Sequence, residues 1–81
     1  MSELNFKEEM RNLRAQIKET GAKVRSWEVA ADTWTLKVPS GVDEREMAAN
    51  LMLSYRHLED AAMRLGKAIQ AFDGGKSVYD T

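Results

Sequence analysis

The chain has 81 residues, no cysteine, one histidine, and 12 basic against 13 acidic side chains, for a formal net charge of −1. Disulfides and thiolate metal sites are thereby excluded, a histidine-rich metal cluster cannot be built, and the basic excess that generic duplex binding requires is missing, although a local basic pocket is compatible with the balance. A domain this short hides only about 60% of its unfolded surface and often needs oligomerisation to stay folded.

The opening residues, SELNFKEEM, are charged and lack a long apolar core, so no secretory signal is expected. A first helix is predicted over about 5–31. Asn5 is the expected N-cap, with Glu8 three residues on, and Ser2 with Asn5 is the other option. From there Phe6, Met10, Leu13, Ile17, Gly21, Val24, Trp27 and Ala31 step by four and three, the spacing of one helix face. The phase survives Gly21, which costs about 1 kcal/mol against alanine in a helix interior. Continuity through this glycine is the preferred reading. The alternative ends the helix at Gly21 and places short strands within 23–38, where TWTLKV alternates loosely.

A loop follows over about 32–42. Val38-Pro39-Ser40-Gly41 is a turn signal, because proline cannot continue a helix and biases the residue before it toward extended backbone. Asp43 is placed to cap a second helix over about 43–72, with Glu46 at the third position and Glu44 beside it favoured by the helix dipole. Met47, Leu51, Tyr55, Leu58, Ala62, Leu65, Ile69 and Phe72 form its apolar stripe. Asp73-Gly74-Gly75 ends it, with glycine supplying the left-handed cap, and 73–81 is a short polar tail. The fold expected is all-α: a single domain over 1–81, two long antiparallel helices in a hairpin.

The second helix would be about 45 Å long, more than so small a chain can cover by itself. Beside its stripe lie Ala48, Met52, Met63 and Gly66, and methionine is suited to adaptable interfaces. The hairpin is therefore expected to assemble into a homo-oligomer.

Candidate binding residues are chiefly cationic or aromatic. Lys7, Arg11, Arg14 and Lys18 form a basic strip on the first helix, with Lys23 and Arg25 beyond it. Arg56, Asp60 and Arg64, spaced by four, read either as a solvated ion-pair row or as two guanidinium groups braced to grip phosphate, with Lys67 one turn on. Tyr55 and His57 stand beside them. His57 reads as an interfacial histidine or as a contact to a base. Trp27 falls on the stripe and is expected in the core. Trp34, outside the helical phase, reads as a cap on the core or as a base-stacking platform. No GxxxxGK[ST], HExxH, GxSxG or Cys–His pattern is present, so no catalytic role, no cofactor and no metal are expected. No apolar run reaches the length of a membrane span.

The segment Asn50-Leu51-Met52 and then Arg56-His57-Leu58-Glu59-Asp60-Ala61-Ala62-Met63-Arg64-Leu65-Gly66-Lys67 resembles the terminal helix of the phage cyclic-nucleotide sponges, the anti-CBASS and anti-Thoeris proteins. Ile17-Lys18-Glu19-Thr20-Gly21-Ala22-Lys23-Val24 is similar to the Lys–x–x–Gly–Ala stretch in the first long helix of the anti-CBASS members. The resemblance implies a homo-oligomer, commonly a hexamer, in the host bacterial cytoplasm. It implies non-catalytic sequestration of cyclic di- or trinucleotide messengers between protomers, which blocks anti-phage signalling. It makes Lys18, Lys23, Arg56, Arg64 and Lys67 the phosphate candidates. The chain departs from the family in lacking the N-terminal strand region of the anti-Thoeris branch and a tyrosine near its start, where only Phe6 could substitute. The competing expectation is a small phage inhibitor or adaptor that docks its hairpin on a host protein.

Overall fold

A computed structural model describes residues 3–32 and 38–74, with the side chains of Glu3, Leu4 and Asp32 left aside. Two α-helices account for nearly all of it: α1 (Glu3–Asp32) and α2 (Glu44–Phe72), packed antiparallel as a hairpin. Helix α1 runs through Gly21 without interruption, so the strand alternative fails over 23–32, and no strand occurs among the described residues. The segment 33–37, with Trp34, lies outside them.

The helix starts at Glu3, which places Asn5 inside the first turn instead of at the cap. The reason is local propensity: Glu and Leu at positions 3 and 4 are better helix formers than Asn, so the helix extends past the residue that could have capped it. At α2 the cap is where the sequence puts it. The Asp43 carboxylate accepts from the Glu46 backbone N–H at 3.0 Å. Glu46 does not simply reach back; its Oε1 accepts from Asn50 Nδ2 at 2.9 Å, one turn forward. Gly41 takes φ +90° in the turn before this helix, and Gly74 takes φ +86° after it, with its N–H bonded to the Ala71 carbonyl at 3.0 Å.

Close packing at the middle of the hairpin comes from small residues. Gly21 is buried, and a methyl group added there would lie 3.6 Å from Leu58 Cβ, in ordinary contact. Across the open end, Phe6 meets Phe72 edge-to-face at 5.7 Å between ring centroids. Lys7 Nζ pairs with Asp73 Oδ1 at 2.6 Å beside them.

The core between the helices is thin. Among the described residues its buried apolar side chains are Met10, Val24 and Ala62, and none of the large ones is fully enclosed. The face that α1 turns to α2 is Met10, Arg14, Ile17, Gly21, Val24 and Glu28, not the centre of the apolar stripe. Trp27, expected in the core, is 47% exposed, and Leu13 is 49% exposed. The physical reason is width: the apolar arc of α1 is broader than one neighbouring helix can cover, and α2 covers only its edge. No helix of the described residues is long and apolar enough to cross a membrane.

Candidate functional site

On one broad side of the hairpin the two helices leave an open groove of about 620 Å³. Its floor is Ile17, Gly21, Leu58, Ala62 and Gly66, where small side chains let the surface dip toward the helix backbones. One wall is Arg14, Lys18, Ala22 and Arg25 from α1. The other is Tyr55, Glu59, Met63, Lys67 and Gln70 from α2. The α1 residues recur at three- and four-residue steps, one helix flank, as do those of α2. Four cations thus converge on a groove whose lining holds one carboxylate, Glu59.

Arg14 is the most constrained of the cations. It is half-buried, and its Nε donates to the Ala62 carbonyl oxygen at 3.0 Å, across from α1 to α2. Its guanidinium lies directly over Gly66, where an added Cβ would stand 3.1 Å from Nε. One of five N–H donors is spent on this anchor, so the planar fork is oriented with donors to spare. Among the described residues the ion pairs are Lys7–Asp73, Arg25–Glu28 and Asp60–Arg64, so Arg14, Lys18 and Lys67 have no carboxylate partner within 4.0 Å.

Arg25 differs from these three. Its Nη1 binds Glu28 Oε2 at 2.5 Å, and its guanidinium carbon lies 5.5 Å from the centroid of the Tyr55 ring. Glu28 is only 3% exposed, so Arg25 neutralises a buried carboxylate while presenting a flat cation–aromatic surface at one end of the groove.

Of the residues singled out in the sequence, Lys18, Tyr55 and Lys67 line the groove. Lys23, Arg56, His57 and Arg64 do not; all four are exposed and stand on the outer sides of their helices. The Arg56–Asp60–Arg64 row is realised as one loose pair, Arg64 Nε to Asp60 Oδ1 at 3.8 Å, with both side chains more than half exposed. That is the solvated form, worth well under 1 kcal/mol. Trp34 lies outside the described residues. The sequence places Arg14 and Lys18 in a basic strip with Arg25 beyond it, but not the Arg14 anchor, the seat of Arg25 in the groove, or Gln70. Their spacing from Lys18 and Gly66 carried the signal: Arg25 is seven beyond Lys18, and Gln70 is four beyond Gly66 on the same flank.

Comparison of the chain with family models, with curated proteins and with solved structures found no match, so the likeness to the sponge family rests on the residues quoted for it.

Proposed function

We propose that this hairpin holds a cyclic oligonucleotide of two or three nucleotides in the groove between α1 and α2, releases it unchanged, and so acts as a phage sponge for a bacterial immune messenger. The observation that carries the reading is Arg14, a half-buried guanidinium fixed by a main-chain carbonyl and flanked by Lys18 and Lys67, none of the three paired with a carboxylate among the described residues. Burying part of a cation without a counter-ion is unfavourable, and an anionic ligand would relieve it. A planar fork suits a phosphodiester's two free oxygens, and Lys18 and Lys67 add point charges on either wall. Tyr55 with Arg25 above it offers a flat surface for a base. Glu59 offers an acceptor for a base amine or a ribose hydroxyl. A groove of about 620 Å³ falls within the range of small-molecule sites.

Thermal melting of the full chain with cyclic di- and trinucleotides, against a linear mononucleotide and pyrophosphate, tests this. A ligand at about 100 times its dissociation constant adds about 2.7 kcal/mol of stability. Ligand recovered by heating has its original mass. Arg14→Ala lowers affinity by roughly 10- to 100-fold, the value of a charge-assisted hydrogen bond or two. If no cyclic nucleotide moves the melting transition, the proposal is wrong.

A further inference from the structure

We infer, on the nucleotide reading of the groove, that Glu59 reads the base of the bound nucleotide and that the base it selects is guanine. One charge in the groove is out of place for phosphate binding alone. Glu59 is the single carboxylate in a lining that also holds Arg14, Lys18, Arg25 and Lys67. It weakens the pull of those cations on any phosphate that comes near it. Nor is it spent on them. Among the described residues the ion pairs are Lys7–Asp73, Arg25–Glu28 and Asp60–Arg64, so none of the four groove cations lies within ion-pair distance of Glu59. Its side chain is exposed, and an ionised carboxylate only accepts hydrogen bonds.

The groove is sorted along its length. At one end Arg14 donates to the Ala62 carbonyl and lies over Gly66, with Lys67 at the next position of α2. Toward the other end the Arg25 guanidinium carbon lies 5.5 Å from the centroid of the Tyr55 ring. Glu59 stands one turn, about 6 Å, beyond Tyr55 on the same flank of α2, and seven residues, about 10 Å, before Gly66. A phosphate therefore settles at the Arg14 end, away from the carboxylate. The base it carries, one ribose away, reaches Tyr55 and Arg25, where a flat ring stacks on the aromatic face or the guanidinium plane. A base lying there turns an edge along the helix toward Glu59.

The chemistry of that edge identifies the base. Guanine carries two adjacent N–H donors on its Watson–Crick edge, N1–H and the 2-amino group, and one carboxylate accepts both at once. Adenine sets its 6-amino donor beside the N1 lone pair, which repels the second carboxylate oxygen. Cytosine likewise offers one donor beside a lone pair, and uracil offers one donor between two carbonyls. A two-point pair of this kind discriminates against the wrong base by about 10- to 100-fold.

Titration calorimetry of the full chain with cyclic di-GMP, cyclic di-IMP and cyclic di-AMP is the test. The three carry the same two phosphates, so the attraction of the groove cations cancels in their ratios. Cyclic di-GMP is expected to bind about 10- to 100-fold more tightly than cyclic di-AMP. Cyclic di-IMP, which keeps N1–H and lacks the 2-amino group, falls between them. Glu59→Gln replaces an all-acceptor group by an amide with one acceptor and one donor side, which suits either purine. It brings the ratio of cyclic di-GMP to cyclic di-AMP affinity toward one, while any gain from the lost negative charge is shared by both ligands. Melting without ligand checks that the variant folds as the parent does. Equal binding of the three ligands by the parent, a preference for cyclic di-AMP, or a ratio that Glu59→Gln leaves unchanged overturns the assignment of Glu59 and leaves the sponge reading standing. If none of the three binds, the assignment is wrong; if cyclic trinucleotides fail to bind too, the sponge reading is lost with it.

Discussion

Gly66 and Gly21 both sit where the helices meet, and adding one methyl group has different consequences at the two positions. At Gly21 the new Cβ meets Leu58 Cβ at 3.6 Å, an ordinary contact. Gly21→Ala is therefore expected to stabilise the hairpin by up to about 1 kcal/mol through helix propensity. At Gly66 the new Cβ would lie 3.1 Å from Arg14 Nε, closer than most such contacts. The guanidinium must slide off the Ala62 carbonyl, and a lost charge-assisted bond of about 1–2 kcal/mol offsets the gain in propensity. Gly66→Ala thus leaves stability near that of the parent in urea unfolding but weakens nucleotide binding by about tenfold in a titration. Equal affinity in the two proteins would show that Arg14 is not held by its seat. Both glycines stand out in the sequence, Gly21 on the apolar stripe of α1 and Gly66 beside that of α2. That an arginine 52 positions earlier covers one of them could not be, because it depends on the register between two helices.

Helix α1 shows how a correct pattern can mislead about burial. Its stripe from Phe6 to Ala31 is a true apolar face, and the helix runs unbroken through it. Yet the inner positions include Arg14 and Glu28, while Leu13 and Trp27 face out. Periodicity gives the arc, and the neighbour chooses which edge of the arc to cover; here the close approach at Gly21 turns the helix so that its flank faces α2. Glu28 is the sharpest result of that rotation, a carboxylate 3% exposed and held by Arg25. Removing the cation strands the charge, so Arg25→Ala should destabilise by about 3 kcal/mol, whereas Glu28→Met, which fills the same position with an apolar chain, should be neutral or stabilising. Chemical denaturation of both variants checks the order, and a Glu28→Met loss as large as that of Arg25→Ala would refute it. The caps divide in the same manner. Asp43 could be identified because the turn before it forbids helix, and Asn5 could not because good helix formers precede it.

The molecule as a whole is a thin slab, 53 × 28 × 16 Å, with a cationic groove on one broad side. Net charge conceals this, since −1 averages a cationic groove with acidic residues elsewhere. Attraction of a polyanion to such a groove is partly screened at physiological ionic strength, where the Debye length is about 8 Å. Affinity for a cyclic trinucleotide should accordingly fall on the order of tenfold between about 0.05 and about 0.5 M salt, and more steeply than affinity for a cyclic dinucleotide, because one more phosphate is involved. Titrations at several salt concentrations test this, and a flat response would remove the electrostatic account of the groove. What could be read directly from residue order was everything local: two helices, their polar and apolar flanks, the Asp43 cap, the glycine stop, and the basic strip with Arg14 and Lys18. Those features repeat within one or two turns, so hydrogen bonding along the chain and side-chain spacing suffice to define them. Which flank α2 covers, which cations share a groove, and that Arg56, His57 and Arg64 stand apart from it emerged only from the packing of α1 on α2. Contact between distant segments is set by how two surfaces fit, and no stretch of a single helix contains that information.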